Sequence, residues 1–487
     1  EPGDSLDAPT REVTYELADP TSRIGVKSRS ERNLSAPDEE MYICLDGRGR
    51  VYQQRTRLAS GEYLVSGFTI YNSRGAIAET YEPYTSSSSE CEEEAPQGGL
   101  SSKNKFDALF RPLEITLPDA DIYGDASITR FEYEPFLERI YDREDNDATS
   151  PHANTPTLRE MDGLGRLIRI TRDGGDGELF DYRLQYDNTG SFEGYTDPAG
   201  NTQTLVVDLA GRTTEVENAN FGKITYAYNA MGQLTRKQDA RGVVQRYDYD
   251  GLNRLVAHWD DGDEANTRVT WSYDQAGDCD LTVCTNVAGR LAQIQYPLLD
   301  GITGSTSMGY DSRGREVKIV KRWDDLEFVT DTSYSNVDLP TSVTYPDGHE
   351  IETVFDNAGR VMAIPGLIDA VEYSSRDDAQ VIRYNNGAVT RQTYDAMRRV
   401  ASIEHLDGVG TALFSTTYER DREGHILGII DALERDDAPS TSMSFVYDAL
   451  YRNTQLEMGT VNNETDILEY SFDNLDNILD ITSSLGD

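Results

Sequence analysis

Tyr310-Asp311-Ser312-Arg313-Gly314-Arg315-Glu316 and Phe355-Asp356-Asn357-Ala358-Gly359-Arg360-Val361 share one pattern. An aromatic residue is followed by Asp, two loose positions, Gly, Arg and then a residue that is most often apolar. Near copies begin at Leu45, Tyr71, Phe106, Met161, Tyr186, Tyr228, Tyr249, Tyr394, Tyr447 and Phe472, and a weaker one at Val207. The starts at 186, 207, 228 and 249 are 21 residues apart, as are 334 to 355 and 373 to 394. Elsewhere the spacing stretches to 24–29 residues, as loop insertions between units of one repeat would make it.

Each copy reads as a hairpin turn. The aromatic residue suits the end of a strand. Asp accepts hydrogen bonds from backbone amides two residues on, and Gly supplies the positive φ that closes the turn. In Tyr249-Asp250-Gly251-Leu252-Asn253-Arg254 the Gly place is taken by Asn, yet Arg keeps its position. Arg recurs there at 50, 111, 166, 212, 254, 290, 315, 360, 399 and 452. A turn alone does not require Arg, so the sequence predicts a ladder of Arg–carboxylate pairs between successive hairpins. A second turn falls midway through each unit, as in Asp197-Pro198-Ala199-Gly200 and Asp347-Gly348. Alternating stretches such as Lys223–Tyr228 and Val243–Tyr249 lie between the turns. The expected fold class is all-β: an array of antiparallel hairpins in one large, curved, spiralling sheet, because a 21-residue unit cannot bury a core by itself.

The aromatic–Asp–x–x–Gly–Arg repeat resembles the YD, or Rhs, repeat of bacterial polymorphic toxins, animal teneurins and insecticidal toxin complexes. The likeness covers roughly residues 40 to 487. Phe68–Gly75, Tyr81-Glu82-Pro83-Tyr84, Phe106–Pro112, Leu117-Pro118-Asp119, Tyr133–Phe136 and His152–Thr157 narrow it to the repeat-shell region of toxin-complex B components. The resemblance implies a hollow shell, or part of one, that encloses a toxic polypeptide. The self-cleaving aspartyl core and toxin domain of that family are not recognised in this stretch. The chain reads as three parts: an extended, Pro-spaced segment 1–40, a strand-rich entry region 41–105 with a Ser/Glu-rich loop at 85–105, and a repeat shell 106–487. The chain opens on Glu1 and stops at Asp487 without a closing element, and so reads as a truncated piece of something longer.

Composition agrees. Of 487 residues, 87 are acidic and 45 basic, a net charge of −42 that repels nucleic acid and anionic membranes. Twenty-nine Tyr set the chain apart from an acidic disordered one. No apolar run approaches a membrane span.

Few residues invite a chemical reading. Cys279 and Cys284 bracket a polar insertion and are expected to form a local disulfide, as in an exported protein. Cys44 and Cys91 flank the first two repeats, and sequence does not give their separation. The five His read as surface or turn residues. The acidic clusters 142–147, 173–178 and 260–264 lack the calcium-loop pattern and read as solvated turns. No nucleophile–base, metal or cofactor motif is evident, so no catalytic, cofactor or metal residues are expected. The repeat motif residues are structural candidates: Tyr249, Asp250, Arg254, Tyr310, Asp311, Gly314, Arg315, Phe355, Asp356, Gly359 and Arg360.

The expected function is thus a non-enzymatic, secreted or cell-surface cocoon. Its partners would be an enclosed toxin polypeptide or companion toxin-complex subunits, with no nucleic acid and no direct membrane insertion. The alternatives are a rigid adhesion scaffold or a carbohydrate-binding surface.

Overall fold

The structure is a computed structural model that describes residues 11–17, 22–28, 39–175, 177–274, 282–298, 301–433, 441–461 and 464–486. Their regular structure is almost wholly antiparallel strand. The helices among them are two single turns, Ala120–Tyr123 and Glu264–Thr267. The chain divides into two compact units, one of Glu1–Asp181, Ser335–Leu339 and Thr353–Asp487, the other of Tyr182–Tyr334 and Pro340–Glu352.

In the first unit, strands Arg11–Glu16, Ser22–Ser28, Glu39–Leu45, Val51–Arg57, Tyr63–Ser66 and Tyr84–Ser86 form a six-stranded sheet. The segment expected to be merely extended therefore contributes a hairpin, registered Arg11↔Ser28 to Glu16↔Arg23 and joined onward to Glu39–Leu45. Its alternating burial shows why: Glu39–Leu45 turns every second side chain into the protein. A second sheet runs from Thr69–Tyr71 through Ile77–Tyr81 and Ser101–Phe106 to Leu167–Asp173. A ten-stranded sheet follows in chain order from Ile368–Tyr373 to Ile478–Ser483. The second unit is one meander that ends at Glu350–Glu352.

Pairing along 106–487 is therefore not one uninterrupted sheet, as the repeat spacing alone suggests. The chain leaves one ladder at Glu352 and enters the short Val354–Phe355/Val361–Ala363 hairpin without an intervening turn, which exchanges one partner strand for another.

The repeat is written into the register. Pairing slips by one residue beside the motif aromatic, at Val206/Val207, Ala227/Tyr228, Asp248/Tyr249, Gly309/Tyr310, Thr393/Tyr394 and Val446/Tyr447 among others. A bulge at the same point of each unit adds right-handed twist, so the sheets curve by construction. Apolar burial is modest and local. One cluster gathers Cys44, Tyr52 and Phe68, and another Val283, Cys284, Val287, Ala292 and Val320.

Strand pairing therefore carries the fold, and its closest approach is testable. Gly194 has φ +153°, and a Cβ there would lie 2.1 Å from the carbonyl oxygen of Gln203 on the neighbouring strand. Gly194→Ala is expected to destabilise by about 2–3 kcal/mol, read as a lowered denaturant midpoint with unchanged slope.

Candidate functional site

Each motif turn is organised by its Asp. Asp46, Asp107, Asp162, Asp208, Asp250, Asp311, Asp356, Asp395 and Asp448 use Oδ1 to accept the amides two and four residues on. The other oxygen accepts Nε of the motif Arg at 2.6–2.9 Å. Some motif Arg residues bridge to a carboxylate of the next hairpin, as the sequence suggested, Arg254 to Asp274, Arg360 to Asp377 and Arg452 to Asp476, but the pair common to these turns closes its own turn, four residues apart. The reason is reach: once Oδ1 holds the turn amides, Oδ2 already faces the guanidinium. Arg212 holds Asp208 below the usual carboxylate range, through its guanidinium first and its amide second. Asp250 is lowered in the same way, with the Arg254 amide leading. Arg290 departs from the pattern, because an insertion separates it from Asp274, and it donates to the carbonyl of Asn286.

The face of that guanidinium also crosses between hairpins. Arg254 lies 4.4 Å from the ring centre of Tyr273, Arg315 4.9 Å from Tyr334 and Arg360 4.3 Å from Tyr373. The aromatic residue returns a bond, donating its hydroxyl to the carbonyl of the residue after the previous motif's Arg. Tyr71 does so to Val51, Tyr228 to Thr213, Tyr310 to Leu291 and Tyr373 to Val361, at 2.7–2.9 Å. Tyr249 makes the equivalent bond to Leu234, where Gln233 stands in the Arg place. Phe355 lacks the hydroxyl. Gly314 and Gly359 have the positive φ, +86° and +78°, expected of them.

In several turns a side chain replaces Gly but keeps positive φ: Phe110, Asn253, Asp377, Arg398, Tyr451 and Asp476. Most of these reach a different hairpin. Phe110 lies under Arg74, Asp377 accepts from Arg360, Arg398 donates to Asp378, and Asp476 accepts from Arg452. Sequence reasoning saw these positions only as imperfect copies.

Tyr451 reaches furthest, donating to Asp142 at 2.7 Å. It belongs to a polar seam, internal to the first unit, between residues 119–155 and 395–451. Arg143 meets Glu423, with Nε 2.8 Å from Oε1. Arg422 donates to Asp147 and Asp125, while its amide donates to Glu144. Tyr123 donates to the carbonyl of Asp421. His425 stacks on Tyr451, its ring centre 4.5 Å away, and shares a hydrogen bond with Asp421.

The acidic cluster 142–147 is thus no solvated turn. Glu144 and Asp145 are 6% and 5% exposed because they form a socket for a late turn. His152 lies in a turn, as expected, but is buried there against the ring of Tyr451. Burial, helped by Asp142, pushes the Asp145 carboxyl up. Burial also raises Glu423, but the Arg143 side chain and amide outweigh it and leave that carboxyl lowered. Hydrogen bonds from Thr149, with Arg422 behind them, bring Asp147 down to about 2. Among the described residues no three His, Cys, Asp or Glu are grouped to hold a metal ion.

Cys44 and Cys91 are joined by a disulfide. The expected Cys279–Cys284 bond lies outside the described residues at Cys279, whereas Cys284 is buried.

Comparison with known proteins places this geometry. The RHS Repeat family model matches residues 207–244 and 228–260. The double-stranded DNA deaminase toxin A of Burkholderia cenocepacia (strain H111) is 28% identical over 113 residues, 23% of this chain and 8% of that protein. The TcdB2–TccC3 crystal structure is similar with a TM-score of 0.82 at 17% identity, covering 98% of this chain and 28% of that one. The Photorhabdus luminescens Tc holotoxin pore gives 0.81 at 17% identity over 95% and 26%. The chain therefore spans about a quarter of the length of the solved structures it matches, and at such identity the likeness establishes the fold.

Two outcomes follow from the turn and the seam. Arg360→Ala leaves Asp356, whose side chain is 4% exposed, without its partner and is expected to cost about 3 kcal/mol. Arg315→Ala, with a less buried Asp311, should cost less, and Arg322→Ala, which breaks an exposed pair with Glu327, under about 1 kcal/mol. Equal, negligible shifts in unfolding midpoint would remove the motif Arg from what joins the hairpins. For the seam, Asp147 is depressed from its ordinary 3.8 to about 2, so its contribution is full above 3.8 and is lost as pH falls toward 2. Stability followed through that window should fall less steeply in Asp147→Asn than in the parent chain.

Proposed function

We propose that the chain, whose residues 207–260 match the RHS Repeat model and whose fold is that of the TcdB2–TccC3 structure, is the wall of a container that encloses a toxic polypeptide for delivery. The observation that carries this reading is the seam. Residues 119–155 and 395–451, about 280 positions apart, are fastened to each other by side chains rather than by strand pairing. A wall that must hold a cargo needs such ties between stretches far apart in sequence, whereas an open scaffold has no need of them. The turn ladder supports the same role, since it stiffens the sheet without demanding a filled apolar core on both faces.

The fold is a structural one, and the proposed role involves no turnover. The partners proposed are the enclosed polypeptide and companion toxin-complex subunits, and the site of action is outside the producing cell or at its surface. Among the described residues no helix is long and apolar enough to cross a membrane. A rigid adhesion scaffold is the competing role for the same repeats.

The test is protease protection of the whole product of the native gene. Enclosed polypeptide should survive at least about tenfold longer than the same polypeptide free in solution, because cleavage then awaits an opening event. A double variant, Arg143→Ala with Arg422→Ala, should shorten that protection. A product in which every segment outside the repeats is cut at the rate of free polypeptide would favour the scaffold.

A further inference from the structure

We propose that the Ser/Glu-rich segment 87–100 is a reducible strap, held over the six-stranded sheet by the Cys44–Cys91 bond and released when a small thiol or dithiol reduces it. Beneath it lies Arg55, 0% exposed. Its Nη1 donates to the carbonyl of Ser88 at 2.7 Å, its Nε donates to Gln53 at 2.9 Å, and its Nη2 is 2.9 Å from Glu92. Gln53, equally buried, donates to the carbonyl of Glu92, and Arg23 meets Glu90 at 3.1 Å. Apart from the disulfide itself, the strap meets the apolar cluster around Tyr52 and Phe68 through Ala95.

The non-covalent hold is therefore mainly polar, and two effects oppose it. Glu90, Glu92, Glu93 and Glu94 crowd four like charges into five positions of a chain that carries −42. Breaking the Arg55–Glu92 pair is costly only while Arg55 stays dry. Lifting the strap admits water to the guanidinium, so the pair is exchanged for hydration. The covalent bond is what keeps the strap down.

Reduction runs as thiol–disulfide exchange. An external thiolate attacks Sγ of Cys91, the partly exposed partner, while Cys44 is 0% exposed. The S–S bond breaks, a mixed disulfide forms on Cys91, and Cys44 departs as a thiolate that takes up a proton. A second thiol of the reductant resolves the mixed disulfide, leaving two protein thiols and one oxidised reductant. The departing sulfur is not in a wholly apolar setting: Gln53 is the cross-strand partner of Cys44, and Arg55 lies two residues further on the same face. Release uncovers Arg55 together with Tyr52, Phe68 and Tyr84.

The experiment is amide hydrogen exchange on the full chain, oxidised and reduced, with alkylation of each cysteine followed by peptide mass. Reduction is expected to raise exchange in 87–100 at least about tenfold while strands 39–45 and 51–57 stay protected. Cys91→Ser should show the same exchange without reductant. Added salt should shrink the effect, because it screens the repulsion among the Glu residues. Unchanged protection of 87–100 with Cys91 fully alkylated overturns the proposal, since the Arg55 clamp would then suffice. Loss of protection across the whole of 39–66 also overturns it, because the bond would then be a staple of the sheet and not the anchor of a strap.

Discussion

One carboxylate per turn sets the rest of this structure. In Asp311 and its counterparts a single side chain accepts two backbone amides with one oxygen and a guanidinium with the other. Turn amides left open would have to be hydrated or paired elsewhere, and a hairpin of some 21 residues has nothing else to offer them. With the amides satisfied, the turn is rigid enough to fix the guanidinium. With the guanidinium fixed in plane, its face becomes a platform for the next ring. The order of dependence runs from Asp to Arg to Tyr, and it explains why Arg rather than Lys fills the position: only a planar fork can bond along its edge and stack on its face at once.

That dependence accounts for the small apolar core. Large side chains are not excluded from water in bulk. Rings such as Tyr273 and Tyr373 are covered by the cation of the preceding turn and tied down by a hydroxyl bond where one is available. The bulge beside each ring turns the strand so that the next ring meets the next cation. Curvature and stacking are thus the same feature seen at two scales.

Much of this could be read from the sequence, and the limits have physical reasons. The 21-residue register and the Asp and Gly of each turn gave the antiparallel hairpins, because these depend on interactions within a few residues. The partners of Arg were only half seen, since an i,i+4 bond inside a turn and a bond to the next hairpin look alike in one dimension, and Arg360 makes both. The break in pairing at Glu352 left no composition signal, because strands on both sides of it have the same alternation. The seam was invisible for a different reason. Asp142–Asp147 is a plain acidic run until Arg422 and Glu423 arrive from about 280 residues away. The signal that could have found it is the loss of Gly at 451, where a bulky residue accepts a left-handed backbone that it would otherwise avoid.

Such substitutions mark where the array departs from its own repeat to do something else. A non-Gly residue at positive φ carries a local cost on the order of 1 kcal/mol, which persists only if the surroundings offset it. At Phe110, Arg398 and Tyr451 the offset is an interaction with another hairpin. At these three turns the strain and the interaction occur together. Tyr451 illustrates the point best: its ring lies on His425, its hydroxyl on Asp142, and its backbone is held at φ +62° by the Asp448 turn. The repeat supplies the rigid turn, and the turn supplies the reach that ties an early stretch of the chain to a late one.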